Sequence, residues 1–496
     1  MKKNMKLKRG WMPFGRYNIF GIFLFLICTY SCKKYVQVDP PSTQIVGSVV
    51  FNNNISAAAA MSGVYDQMMQ SPSGTFSGGS ASISLECGLM ADELKNYYTG
   101  SIVYSQFYTN TLSSSSSTGT SNYYFWSELY ADIHICNNVI EGLAKSTGIT
   151  PAIKRQLTGE AKFMRAFFHF YAVNLYGDVP LVLTSDYITN NSIKRSTKTE
   201  VYQQIIQDLK DAQVALTDNF VDASGVITTG RIRPNKNAAT ALLARAYLYL
   251  GDLNHDATMY NHAEEQATEI IGNANYSLSS DLTNTFLANS SEAIWQLQRV
   301  NPLINTFDAF YFVLTAAPGT SAKPVALSTN LINAFETGDK RFTFWVGSKM
   351  SGSTTYYYPY KYKVNLTNQP LTEYQMVLRL AEQYLIRSEA RAQQGNISGA
   401  QGDLNVIRSR AGLPNTTGND KGSLLTAINH ERQVEMFTEW GHRWLDLKRT
   451  GAVDPIMSIV TPTKGGGAWD SNKSLMPLPS GDLLVDPNLT QNPGYN

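Results

Sequence analysis

The chain predicts a mostly α-helical fold: one unit of paired helices, interrupted by long loop and short-strand insertions that form a ligand face. Two observations carry this. Segments 239–271 (ATALLARAYLYLGDLNHDATMYNHAEEQATEII) and 378–412 (LRLAEQYLIRSEARAQQGNISGAQGDLNVIRSRAG) share one plan. Each has a helix with small and aromatic residues on one face, a Gly-Asp or Gly-Asn stop, and a second helix opening near Ala. Between and around them lie stretches of different composition. Residues 97–125 (YYTGSIVYSQFYTNTLSSSSSTGTSNYYF) are nearly uncharged and dense in Tyr and Ser, and 276–370 hold short period-two runs such as AIWQLQ and TYYYPYKYKV.

Taken in order, residues 1–31 have a basic start and an apolar run, IFGIFLFLI, followed by small polar residues; they read as a secretory signal. The T-Y-S-C ending resembles a bacterial lipoprotein signal, which makes Cys32 the lipid-bearing first residue of the mature chain. Residues 32–50, with the Pro-Pro pair of VQVDPP, read as an extended tether. A first helix is expected at about 55–70, and residues 97–125 as loop. Segment 159–181 (GEAKFMRAFFHFYAVNLYGDVPL) repeats the first-helix plan with its Gly-Asp stop. A unit of about 34 residues built this way resembles a tetratricopeptide repeat, and small alanines let its two helices approach closely. Residues 451–496 read as turn-rich and helix-poor. The mature part divides at about 230 into an N-terminal portion with the first helix pairs and a C-terminal portion with the later repeats and ligand-face insertions.

The formal charge of +2 includes six basic residues ahead of Cys32; without them 35 basic face 39 acidic residues, a net of −4. No basic run follows Cys32, so generic attraction to nucleic acid is not expected. Charged residues are only 16%, while Tyr numbers 28 and Trp 7. That balance suits uncharged, hydroxyl-rich ligands: aromatic faces stack on the C–H faces of sugars and amides bond their hydroxyls. Cys87 and Cys136 could pair in an oxidising compartment or remain buried thiols. None of the six histidines has zinc-site spacing, and neither a nucleophile elbow nor a phosphate loop is present. Asp92 and Glu93 (ADELKN) read as capping or salt-bridging groups. No catalytic residue, metal or cofactor is expected.

Several segments together resemble the SusD/RagB family of Bacteroidetes outer-membrane lipoproteins: FNNNISAAAAMSGVYDQM, FWSELYADIHICNNVIEGL, EAKFMRAFFHFYAVNLYGDVPL, INHERQVEMFTEWGHRWLDLKRTG and LMPLPSGDLLVDPNLTQNPGYN. The resemblance implies a non-enzymatic, lipid-anchored protein exposed at the cell surface. It would capture oligosaccharide, or in some members peptide, for a partner SusC-like TonB-dependent transporter. A repeat scaffold binding only a protein is the reading from another class.

In the long C-terminal block, Arg443, Asp446 and Arg449 recur at three-residue spacing after Glu435 and Glu439, which favours ion pairs within a helix; Trp440, Trp444 and Leu447 make an apolar stripe. The block reads as architecture. The expected ligand contacts lie in loops: Asp92, Asn96, Tyr97, Tyr98, Tyr104, Phe107 and Tyr108 after the first acidic pair. A second group comprises Trp295, Phe310, Tyr311, Trp345 and the triplet Tyr356 to Tyr358, of which Tyr357 is the central member. Aromatic platforms would carry the sugar faces, with polar groups at the rim.

Overall fold

Helices form wherever small and apolar residues recur at helical spacing, and polar caps fix where they start. The computed structural model describes residues 50–69, 76–79, 81–114, 121–299 and 303–495. The signal, Cys32 and nearly all of the tether lie outside the described residues. The longer helices are α1 (Asn54–Met69), α2 (Ile83–Met90), α3 (Ile102–Thr109), α4 (Ser121–Lys145), α5 (Pro151–Tyr176), α6 (Lys198–Ala215), α7 (Lys236–Asn254) and α8 (Ala257–Ile271). After a long insertion follow α9 (Leu380–Gln393), α10 (Ile397–Arg410), α11 (Lys421–Glu435), α12 (His442–Arg449) and α13 (Val453–Thr463). Thr197 and Glu200 form a reciprocal capping box on α6, while Asn235, Asp256, Asn396 and Asp420 cap α7, α8, α10 and α11.

Each helix from α4 to α10 packs on the next. The tetratricopeptide-like pairs are therefore consecutive in space, α5 with α6, α7 with α8 and α9 with α10, although over a hundred residues separate α8 from α9 in sequence. Helix α7 is the centre. Nearly every residue from Asn237 to Asp252 is buried, and its alanines admit neighbours on all sides. Its Arg245 grips Glu382 of α9 through two bonds of 2.6 Å.

Two details differ from the sequence expectation. Gly177 and Gly395 take positive φ at helix ends, but Gly251 and Asp252 lie inside α7, whose stop is left-handed His255. Gly251 is small because Tyr260 of α8 crosses it; a Cβ there would sit 2.8 Å from the ring. The C-terminal stretch also holds a real helix, α13, whose Val453, Met457 and Val460 are buried at helical spacing.

The insertion between α8 and α9 forms short antiparallel pairs, one of them with a strand that follows α2. β1 (Leu94–Asn96) pairs with β3 (Val325–Leu327), β2 (Ala293–Leu297) with β6 (Gln375–Arg379), and β4 (Val346–Ser351) with β5 (Thr354–Pro359). β2 and β6 are buried along their whole length, and β6 runs directly into α9.

Buried ion pairs lock the insertion to the helices. The Glu435 carboxylate receives Arg379 at 2.6 Å, Arg341 at 3.0 Å and Arg410. Arg341 also binds Asp339 and Glu431, Arg410 binds Glu292, and Lys361 binds Glu439. The C-terminal block is architectural, but its pairing is mostly not within one helix. Only Arg449 and Asp446 pair at the three-residue spacing; Arg443 reaches instead to Asp92. Trp440 and Trp444 are buried as expected, Trp440 in the turn before α12. Cys87 and Cys136 are buried free thiols.

Candidate ligand-binding surface

Helix α2 ends in the ADELKN segment, which turns into β1 and positions the first group of expected contacts. Asp92 anchors this turn. Arg443 of α12 forks onto it with two bonds of 2.8 Å, and although burial pushes the carboxyl up, the guanidinium outweighs it and holds Asp92 below its ordinary value. Asp92 is thus committed to an ion pair and only 5% exposed, which corrects its assignment as a free ligand contact. Glu93 is wholly buried; burial, and next the Asp92 charge, push it up to about 8.

That shift has a sign. A carboxyl whose folded value is raised contributes stability that is full below its unfolded value of 4.5 and lost as pH rises through about 8. Glu93→Gln, which fixes the neutral form, is expected to leave the thermal midpoint unchanged at about pH 5 and raise it above wild type at about pH 9. Equal midpoints at both pH values would remove Glu93 as the source.

β1 leads into a line of tyrosines. The Tyr97 N–H donates to the Pro324 carbonyl at 2.9 Å, which extends the β1–β3 ladder, and the Tyr97 ring meets Tyr356 edge-on at 5.4 Å. The two expected contact regions are therefore one surface. In the β4–β5 hairpin Lys349 stands opposite Tyr356 and Gly347 opposite Tyr358, so these share a face. The Tyr358 ring lies across Gly347, where a Cβ would sit 2.3 Å from it, and meets Tyr360 at 5.8 Å. Tyr97, Tyr356, Tyr358 and Tyr360 are all half-buried.

The strand parity corrects the choice of Tyr357: it faces the other way and packs on Phe342 at 5.8 Å. Trp295 and Trp345 are corrected too, since both are fully buried and offer no face to a ligand. Trp295 is enclosed edge-on by Tyr65, Phe163 and Phe167; Trp345 donates its indole N–H to the Leu282 carbonyl at 2.9 Å beneath the arginine cluster. Tyr104 and Phe107 point inward from α3, the helix that replaces part of the expected loop, and Tyr311 is buried behind half-buried Phe310. Tyr98 packs against Tyr104 at 6.4 Å. Asn96 accepts the Tyr98 N–H on its side-chain oxygen at 3.0 Å and so shapes the turn that presents Tyr97.

Tyr108 lines a polar cleft of about 210 Å³ beside β1, with Asp92, Lys95, Ser328, Asn330 and Lys464. The Lys464 amine donates to the Leu89 carbonyl at 2.8 Å and the Met90 carbonyl at 3.1 Å and closes the end of α2; burial brings it down to about 7. Sequence reasoning missed Lys95, Tyr360 and Lys349. Tyr360 was open to discovery, since it continues the parity of Tyr356 and Tyr358; the lysines become visible only through the strand register.

Two family profiles match the chain: one described as "Starch-binding associating with outer membrane" covers residues 54–248, and one described as "SusD family" covers 346–495. The chain belongs to the SusD/RagB family. Among curated SusD relatives it is 25% identical to SusD-like protein P2 of Formosa agariphila, over 75% of this chain and 80% of that one. A SusD superfamily protein of Bacteroides vulgatus shares the fold with a TM-score of 0.75 at 20% identity, covering 90% of this chain and all of the other. A "Laminarin binding SusD-like protein" matches with a TM-score of 0.70 at 24% identity, over 90% of this chain and 100% of its own. The fold of this chain is thus shared with solved SusD-superfamily structures.

Proposed function

We propose that this protein is a non-catalytic glycan-capturing lipoprotein of the outer membrane, held at the cell surface through Cys32, which passes oligosaccharide to a SusC-like TonB-dependent transporter. The observation that carries the reading is the line Tyr97, Tyr356, Tyr358 and Tyr360, half-buried at the end of β1 and along and just past the β4–β5 hairpin. Rings fixed in a row suit a polymer whose sugar faces repeat, and they bind it with little ordering cost. The starch-binding description of the family and the laminarin-binding relative support the ligand class. The helix pairs leave this surface free and supply the face offered to the transporter.

Calorimetric titration of the mature protein with starch and laminarin oligosaccharides, extended to a panel of soluble plant and algal polysaccharides, tests the reading. Tyr97→Ala and Tyr356→Ala are each expected to weaken the best ligand about tenfold, taking aromatic stacking on nucleobases as the scale. Failure of every glycan to bind would overturn glycan capture, and unchanged affinity in both variants would remove the tyrosine line from the site.

A further inference from the structure

The tyrosine line is bordered by positive charge that no carboxylate among the described residues pairs with. The Lys95 amine lies 5.0 Å from the centre of the Tyr97 ring. Lys349 stands directly across the hairpin from Tyr356, on the same face. Lys323 precedes Pro324, whose carbonyl receives the Tyr97 N–H, and its amine lies over the Phe310 ring at 5.3 Å while bonding the Phe310 carbonyl. None of the three pairs with a carboxylate among the described residues.

The contrast with the interior is sharp. Arg245, Arg341, Arg379, Arg410, Arg443 and Arg449 each meet at least one carboxylate. The carboxyls at the base of β1 do not offset the lysines either. Asp92 is taken by Arg443, and Glu93 is held neutral by burial at neutral pH. Asp308, on the helix that carries Phe310, is buried, is pushed up to about 7 and receives Gln375 at 2.8 Å. Lys323 itself, brought down to about 8 by burial, remains mostly charged at pH 7. A chain whose part after Cys32 carries a net −4 therefore presents a local cationic border beside its aromatic row.

We infer that the glycan taken by this surface is acidic, carrying carboxylate or sulfate groups that Lys95, Lys323 and Lys349 meet while the tyrosines stack on its rings. The inference rests on the glycan-capture reading and narrows its ligand class. Uronate and sulfate ester groups share the chemistry that matters, a compact anion at the edge of a pyranose ring. The lysines add attraction and exclude nothing by shape, so the discrimination is electrostatic and sensitive to salt.

The experiment titrates the mature protein with polygalacturonate and with a sulfated galactan, each against neutral amylose and laminarin, at low and high sodium chloride. At low salt at least one acidic polymer is expected to bind about tenfold or more tighter than either neutral one, from several exposed charge contacts acting together. The preference should shrink at high salt. Lys95→Gln and Lys349→Gln, both at exposed or half-exposed positions, should each weaken the acidic ligand several-fold and a neutral ligand by clearly less. The two acidic arms distinguish carboxylate from sulfate. Equal or tighter binding of a neutral glycan, or acidic binding untouched by both lysine variants, overturns the acidic assignment while glycan capture stands. Failure of all four polymers and of the wider panel overturns capture itself.

Discussion

Glu435→Ala is expected to cost about 3–5 kcal/mol of folding stability, because it leaves several buried guanidinium groups without their shared anion. Arg341, Arg379 and Arg410 converge on this carboxylate from three separate segments; the first two are buried and the Arg410 side chain is only 5% exposed. Burial opposes the charged form, yet the three cations outweigh it and hold Glu435 well below the usual carboxylate range. Glu431, Glu439 and Asp339 satisfy part of the remaining charge, so the loss falls short of total collapse. Denaturant unfolding of the variant and wild type measures it. A loss below about 1 kcal/mol would show that the cluster relaxes or hydrates when its centre is removed.

The second large effect is expected at the contact between α12 and the base of β1. Arg443→Met should destabilise by about 2–4 kcal/mol, since it strands Asp92 as a buried unpaired carboxylate. Asp92→Asn should cost a similar amount, and the double variant clearly less than the sum. The double-mutant cycle should give a coupling of at least about 1.5 kcal/mol, within the range for groups in direct contact. Additive losses would mean that the fork contributes nothing beyond its separate environments. Because Asp92 fixes the root of the strand that presents Tyr97, the same variants should also lower glycan affinity.

The helix pairs are legible in the sequence because small and apolar residues at 3.6-residue spacing describe one face of one helix, a local property. Gly251 misleads for the same reason in reverse. Locally it has the appearance of a stop, and only the crossing of Tyr260 explains why a small residue sits inside α7. Trp295 shows the limit for strands. Alternation cannot reveal that β2 is covered on both sides, so an aromatic on its outer parity ends in the core. For Tyr356 and Tyr357 the question is parity, which a hairpin register decides and three identical residues in a row do not. Asp92 and Arg443 lie 351 positions apart, and no nearby residue signals that they meet. The lysine border is invisible for a related reason: Lys95, Lys323 and Lys349 belong to three distant segments, none of them basic by itself.

Helices α8 and α9 touch directly, so the chain between Ile271 and Leu380 leaves and re-enters the scaffold at neighbouring points, a single seam. Lengthening a loop that starts and ends at neighbouring points is cheap, roughly 0.6 kcal/mol for each doubling. The seam thus behaves as a socket for an exchangeable cassette, and nutrient preference can drift with the cassette while the chassis stays the same. The socket has a keyed fit. Any replacement must still deliver an acid where Glu292 stands and cations where Arg341, Lys361 and Arg379 stand, or it leaves Arg410, Glu435 and Glu439 short of partners. Those four charged side chains, more than the hundred residues around them, are the part of the insertion that a grafted specificity would have to keep.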